Sequence, residues 1–93
     1  MWFTSSSGRI EFQLTRAQAA AMSHPGPCDA DVAYYRNVPV VKKQLAKIDP
    51  ADLARELKEY GAWDEKELAD HDANLSRILW IAAINISEEL AQC

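Results

Sequence analysis

ILWIAAINI, residues 78–86, decides the fold. It carries no charge, and at nine residues it is far too short to span a bilayer, which takes about 20. Wound as a helix, Ile78, Leu79, Trp80, Ile81, Ala82, Ala83, Ile84 and Ile86 leave almost no polar face, and such a helix must be surrounded. It belongs at the centre of the molecule, with the rest of the chain laid around it. In a chain of 93 residues the cover is expected to be incomplete, so Ile78, Trp80, Ile81 and Ile84 are the expected self-association surface of a homo-oligomer.

The stretch AWDEKEL, residues 62–68, marks where that helix begins. Asp64 can cap, Glu67 stands three residues on, and Trp63 can staple against Leu68. The expected helix runs from Glu65 to Leu90 and would be about 39 Å long at the α-helical rise. A domain of this size has a radius of gyration of only about 12–13 Å. The reading therefore calls for a kink near Asn74-Leu75-Ser76, or a partner over one end.

Shorter elements precede it. Thr15-Arg16-Ala17-Gln18 is a capping box that opens an alanine-rich helix to about Ser23, whose small residues would let another backbone come close. A second helix runs from Cys28 to Arg36 and is broken by Asn37-Val38-Pro39. Val38, Val41, Leu45 and Ile48 form the apolar stripe of a third, with Lys42, Lys43 and Lys47 to solvent. Asp49 and Pro50 stop that helix and start a fourth, which buries Leu53, Leu57 and Tyr60 and ends at Gly61. Upstream, Arg9 to Leu14 alternates polar and apolar with the period of a strand. Met1 to Thr4 is also strand-like, and Ser5 to Gly8 reads as the turn between them. The expected class is α+β and predominantly helical: an N-terminal β-hairpin, three to four short helices and a long apolar C-terminal helix, all in one small domain spanning residues 1–93.

Composition limits function. With 48% hydrophobic and 26% charged residues the chain is globular rather than disordered. No basic segment followed by an apolar run opens it, so the expected location is cytoplasmic, with Cys28 and Cys93 as reduced thiols. The charge is uneven. Six basic against three acidic residues lie in 1–48, and four against eleven in 49–93. An acidic half disfavours nucleic acid and favours a basic protein partner.

SHPGPCDAD, residues 23–31, gathers a histidine, a cysteine and two aspartates. Structural zinc sites show two compact ligand pairs with sulfur dominant, whereas here one irregular pair is split by Pro-Gly-Pro. The expectation is a helix corner: Asp29 and Asp31 in a first helical turn, His24 at the end of the helix before. No metal or cofactor is expected. Cys28 could be activated at a helix start, but two neighbouring acids oppose it, and neither a nucleophile elbow nor a phosphate-cradling loop is present, so no catalytic residue is assigned. His71, flanked by Asp70 and Asp72, is expected as a hydrogen-bonded, partly buried histidine. A helix-turn-helix reading of 14–36 meets a recognition helix with two acids and one arginine, which phosphates would repel, so direct DNA binding is not favoured.

Nine acids lie between Asp49 and Asp72. Helix starts and local pairs such as Arg55–Glu59 account for about half of them. Glu56, Glu59, Asp70 and Asp72 are the expected contact residues of an acidic surface for a protein partner.

Tyr60 to Ile86, YGAWDEKELADHDANLSRILWIAAINI, together with SHPGPCDAD, resembles small accessory proteins of unassigned function from tailed phages and prophages. The resemblance covers about half the chain and carries over no functional residues. It implies a phage accessory protein in the bacterial host cytoplasm that binds and inhibits a host bacterial protein, as anti-CRISPR and other anti-defence inhibitors do, with no active site and no membrane. Two alternatives come from other classes. One is an oligomeric sponge for a small nucleotide signal, with Arg36, Lys42 and Lys43 on its phosphates. The other is a small transcriptional regulator.

Overall fold

The apolar run occupies the middle of the last helix, and the first, second and fourth helices pack against that helix. A computed structural model of the chain describes the backbone of residues 2–4 and residues 10–92 in full. Two strands pair antiparallel, β1 (Trp2–Thr4) and β2 (Glu11–Gln13), with Phe3 opposite Phe12. Five α-helices follow among the described residues: α1 (Arg16–Met22), α2 (Asp29–Asn37), α3 (Pro39–Leu45), α4 (Pro50–Glu59) and α5 (His71–Ala91). A single 3-10 turn, Glu67–Ala69, precedes α5. The chain is thus predominantly helical. Its strands form a three-residue ladder rather than a sheet layer, and the expected hairpin turn lies outside the described residues.

The local signals explain most boundaries. Thr15 and Gln18 close the capping box of α1 in both directions, at 2.9 and 3.2 Å. Asp49 accepts the amides of Ala51 and Asp52 at 3.1 Å, and Pro50 opens α4. After α4 the chain turns at Gly61, whose φ of 74° only glycine adopts without strain. On β2 the alternation holds: Phe12 is buried between exposed Glu11 and Gln13, with Ile10 and Leu14 buried on either side.

On α5, Ile78, Leu79, Ala82, Ala83 and Ile86 are completely buried. They meet Leu53 and Leu57 of α4, Val41 of α3 and Phe12 of β2 in one continuous core. The small residues of α1 allow the close approach they suggested: Ala19 is buried, and just past the helix the His24 amide donates to the Ala83 carbonyl of α5 at 3.2 Å.

The C-terminal helix differs from expectation at its start. Asp64 and Glu67 exchange side-chain-to-amide bonds at 2.8 and 3.2 Å, as a capping box should, but they open only the 3-10 turn. Asp70 is extended (φ −88°, ψ 99°) and caps a new helix by accepting from the Ala73 amide at 3.2 Å. Asn74 fixes this break, donating from its buried amide to the Leu68 carbonyl at 2.8 Å. The remaining 21 residues of α5 span about 32 Å at the α-helical rise and fit the molecule's 36 Å long axis. Neither a kink nor a partner is needed to accommodate it.

Candidate functional site

The expected acidic surface does not assemble. Glu56 lies on the buried side of α4 beside Leu53 and Leu57 and is completely enclosed, so it cannot belong to a contact face. Its neighbours in the stripe placed it there: positions 53, 56, 57 and 60 share one side of a helix. Asp70 is committed to capping α5. Asp72 accepts from Arg36 of α2 at 2.6 Å, and that bond holds its carboxyl below the usual carboxylate range. Glu59 is exposed on α4. Arg55 pairs with Asp52 at 3.6 Å rather than forming the expected bridge to Glu59, and Lys58 reaches Glu65 at 2.9 Å.

The expected self-association surface is halved. Ile78 and Ile81 are buried in the chain's own core, because α2 and α4 cover the two flanks of α5. Trp80 stays 42% exposed and Ile84 is partly exposed, one turn apart on the same face.

SHPGPCDAD is the corner between α1 and α2, and His24 and Asp31 have local tasks in it. The Gly26 amide donates to His24 Nδ1 at 3.0 Å, which makes that nitrogen an acceptor. The other ring nitrogen stands 3.7 Å from Asp31. Asp31 accepts from the Cys28 amide at 3.0 Å, and this bond, more than any other influence, lowers its pKa. His71 departs from expectation: it is half-buried, but its Nδ1 is enclosed without a hydrogen-bond partner.

The arrangement most capable of recognition is a cleft between α2 and α5 that sequence reasoning did not assemble. It encloses about 440 Å³ and is walled by Asp29, Val32, Ala33 and Arg36 on one side and Ser76, Arg77 and Trp80 on the other, with Trp63 at one end. Both arginines are held in place. Arg36 donates to Ser76 Oγ at 3.2 Å and to Asp72, which ties α2 to α5. Arg77 lies 5.5 Å from the Trp63 ring centroid, a cation–π distance. Its Nη1 donates to the Glu67 carbonyl at 3.0 Å and to Asn74 Oδ1 at 2.7 Å. The signal that could have found this site was the one large aromatic in the apolar run with an arginine three residues before it. Trp80 stands three residues after Arg77, so the two are neighbours on the helix surface.

A second cavity of about 500 Å³ opens on the far side of Arg36, between α2, α3 and α5. It brings together Arg36 and Lys42, two of the three phosphate-binding candidates, within one chain rather than between subunits. Lys43 is exposed and does not line it. No family model, no curated protein and no solved structure matches the chain.

Proposed function

We propose that this chain acts by binding: it engages a partner protein through the α2–α5 face, with Trp80 as the anchor. The observation that supports it is Trp80 itself, a large aromatic left 42% exposed on the rim of a cleft that also presents Trp63, Arg36 and Arg77. Tryptophan, tyrosine and arginine dominate the energetics of protein interfaces, because each offers a large contact area with a polar handle. The cleft is preorganised, since both arginines already carry their structural bonds and lose little freedom on binding.

In the setting implied by the resemblance, the partner is a host bacterial protein that is blocked by occupancy, as an anti-CRISPR or other anti-defence inhibitor blocks its target. Of the acids first assigned to the contact, Glu59 is a peripheral contributor at most and Glu56 contributes none. The test is a pull-down from bacterial lysate with the wild-type chain, Trp80→Ala and Glu59→Lys in parallel. One stoichiometric partner, lost with Trp80→Ala and kept with Glu59→Lys, supports the reading. A partner retained by Trp80→Ala overturns the assignment of the face. Light scattering on the free protein reports whether Trp80 and Ile84 instead hold a second copy.

A further inference from the structure

We propose that the cavity between α2, α3 and α5 binds a small phosphorylated molecule. Three helices contribute one nitrogen-bearing group each: Arg36 from α2, Lys42 from α3 and His71 from the first position of α5. Leu45 and Leu75 supply apolar wall. Among the described residues no carboxylate lines the cavity, although the chain as a whole carries a net charge of −4. A pocket whose only fixed charges are cations, set in an acidic protein, selects an anion by charge. Its volume of about 500 Å³ falls within the range of small-molecule sites, and the apolar wall leaves room for an organic group beside the phosphate.

The pocket has a built-in competitor. Asp72 is 78% exposed at its side chain and reaches Arg36 from outside, occupying part of the guanidinium. Lys42 is exposed and forms no ion pair among the described residues, so its ammonium is available to a ligand. The geometry therefore assigns opposite effects to two charge removals. Losing Lys42 removes an attraction, and losing the Asp72 charge frees Arg36 for the ligand.

The experiment is isothermal titration calorimetry of the full chain at low ionic strength, with inorganic pyrophosphate and AMP as probes. Circular dichroism on each variant confirms that it is folded. Pyrophosphate reads the cations alone, and AMP adds the apolar wall. The expected result is binding of both, weakened roughly tenfold in Lys42→Gln and tightened about threefold in Asp72→Asn. Lys43→Gln, one position along but outside the cavity, should bind like wild type. Absence of binding in both wild type and Asp72→Asn overturns the proposal. Equal losses in Lys42→Gln and Lys43→Gln overturn it too, by showing diffuse surface attraction. A ten-nucleotide single strand that binds more tightly than AMP overturns it in favour of an extended polyanion surface. The titration uses the free chain with no partner at Trp80, so its result stands or falls separately from the proposed function.

Discussion

Asn74→Leu should destabilise the protein by about 2–3 kcal/mol and loosen the α2–α5 cleft at the same time. Asn74 is 1% exposed and spends its amide on two partners: its Nδ2 on the Leu68 carbonyl at 2.8 Å, its Oδ1 on Arg77 at 2.7 Å. Leucine fills a similar volume but can do neither. The Leu68 carbonyl, in a residue only 6% exposed, is then left buried without that donor, at about 1–3 kcal/mol. The charged bond from Arg77 contributed about 1.5–3 kcal/mol, part of which returns because the guanidinium can turn to water. Extra apolar burial offsets some of the remainder. Against a total stability of about 5–15 kcal/mol for a domain, this is a large loss, equivalent to a fall of about 8–24 °C in Tm. Urea unfolding followed by circular dichroism measures the stability. The emission of the folded variant should also shift, because Arg77 over Trp63 has lost one of its two anchors. A loss under about 0.5 kcal/mol with unchanged emission would show that Asn74 holds neither the break before α5 nor the arginine.

Other substitutions separate the roles of residues that look alike in sequence. Ile78→Ala should cost about 2–5 kcal/mol in urea unfolding, whereas Ile84→Ala, on the partly exposed side of the same helix, should cost under about 1 kcal/mol. Equal costs would contradict the placement of α5. Gln44→Leu should raise the tendency to aggregate, measured by light scattering on warming. The Gln44 amide pairs with both the N–H and the C=O of Gln13, at 2.6 and 2.8 Å, and so covers the outer edge of β2 as a neighbouring strand would. Acid should destabilise the fold. Asp72, Glu65 and Asp31 all have folded pKa values below their ordinary ones, owing first to Arg36, to Lys58 and to the Cys28 amide respectively. A depressed carboxylate contributes fully above its unfolded pKa, near pH 4, and loses that contribution as pH falls through the folded value. Asp72→Asn should therefore flatten the fall in Tm below about pH 4, and an unchanged slope would remove Asp72 from the account.

What the sequence made legible was local. The capping box at Thr15, the Asp49-Pro50 start, the stripe Val41-Leu45 and the burial of Ile78, Leu79, Ile81 and Ile86 all follow from contacts within one turn of helix or from the period of one element. The start of α5 was missed for a local reason too. The sequence was read for one cap, at Asp64, whereas the structure caps again at Asp70, six residues on, and periodicity cannot say which one ends a turn and which one opens a helix. Asn74 decides between them by reaching back six residues to Leu68, a bond that no pattern of apolar residues encodes.

The functional residues were harder because their meaning depends on which elements become neighbours. Glu56 and Asp72 are both acids in an acidic run, yet one is enclosed in α4 and the other bridges to Arg36, 36 positions earlier in the chain. That bridge organises both candidate sites. Arg36 walls the tryptophan cleft on one side and the cationic cavity on the other, and Asp72 and Ser76 hold it between them. A ligand that draws the guanidinium away from Asp72 in the cavity must also change the wall of the cleft, since one planar group serves both. Were the cavity occupied and a partner docked at Trp80, the two events would be linked through a single side chain. Any coupling between them must be reciprocal, so a partner bound at the cleft would alter AMP affinity by the factor by which AMP alters the partner's.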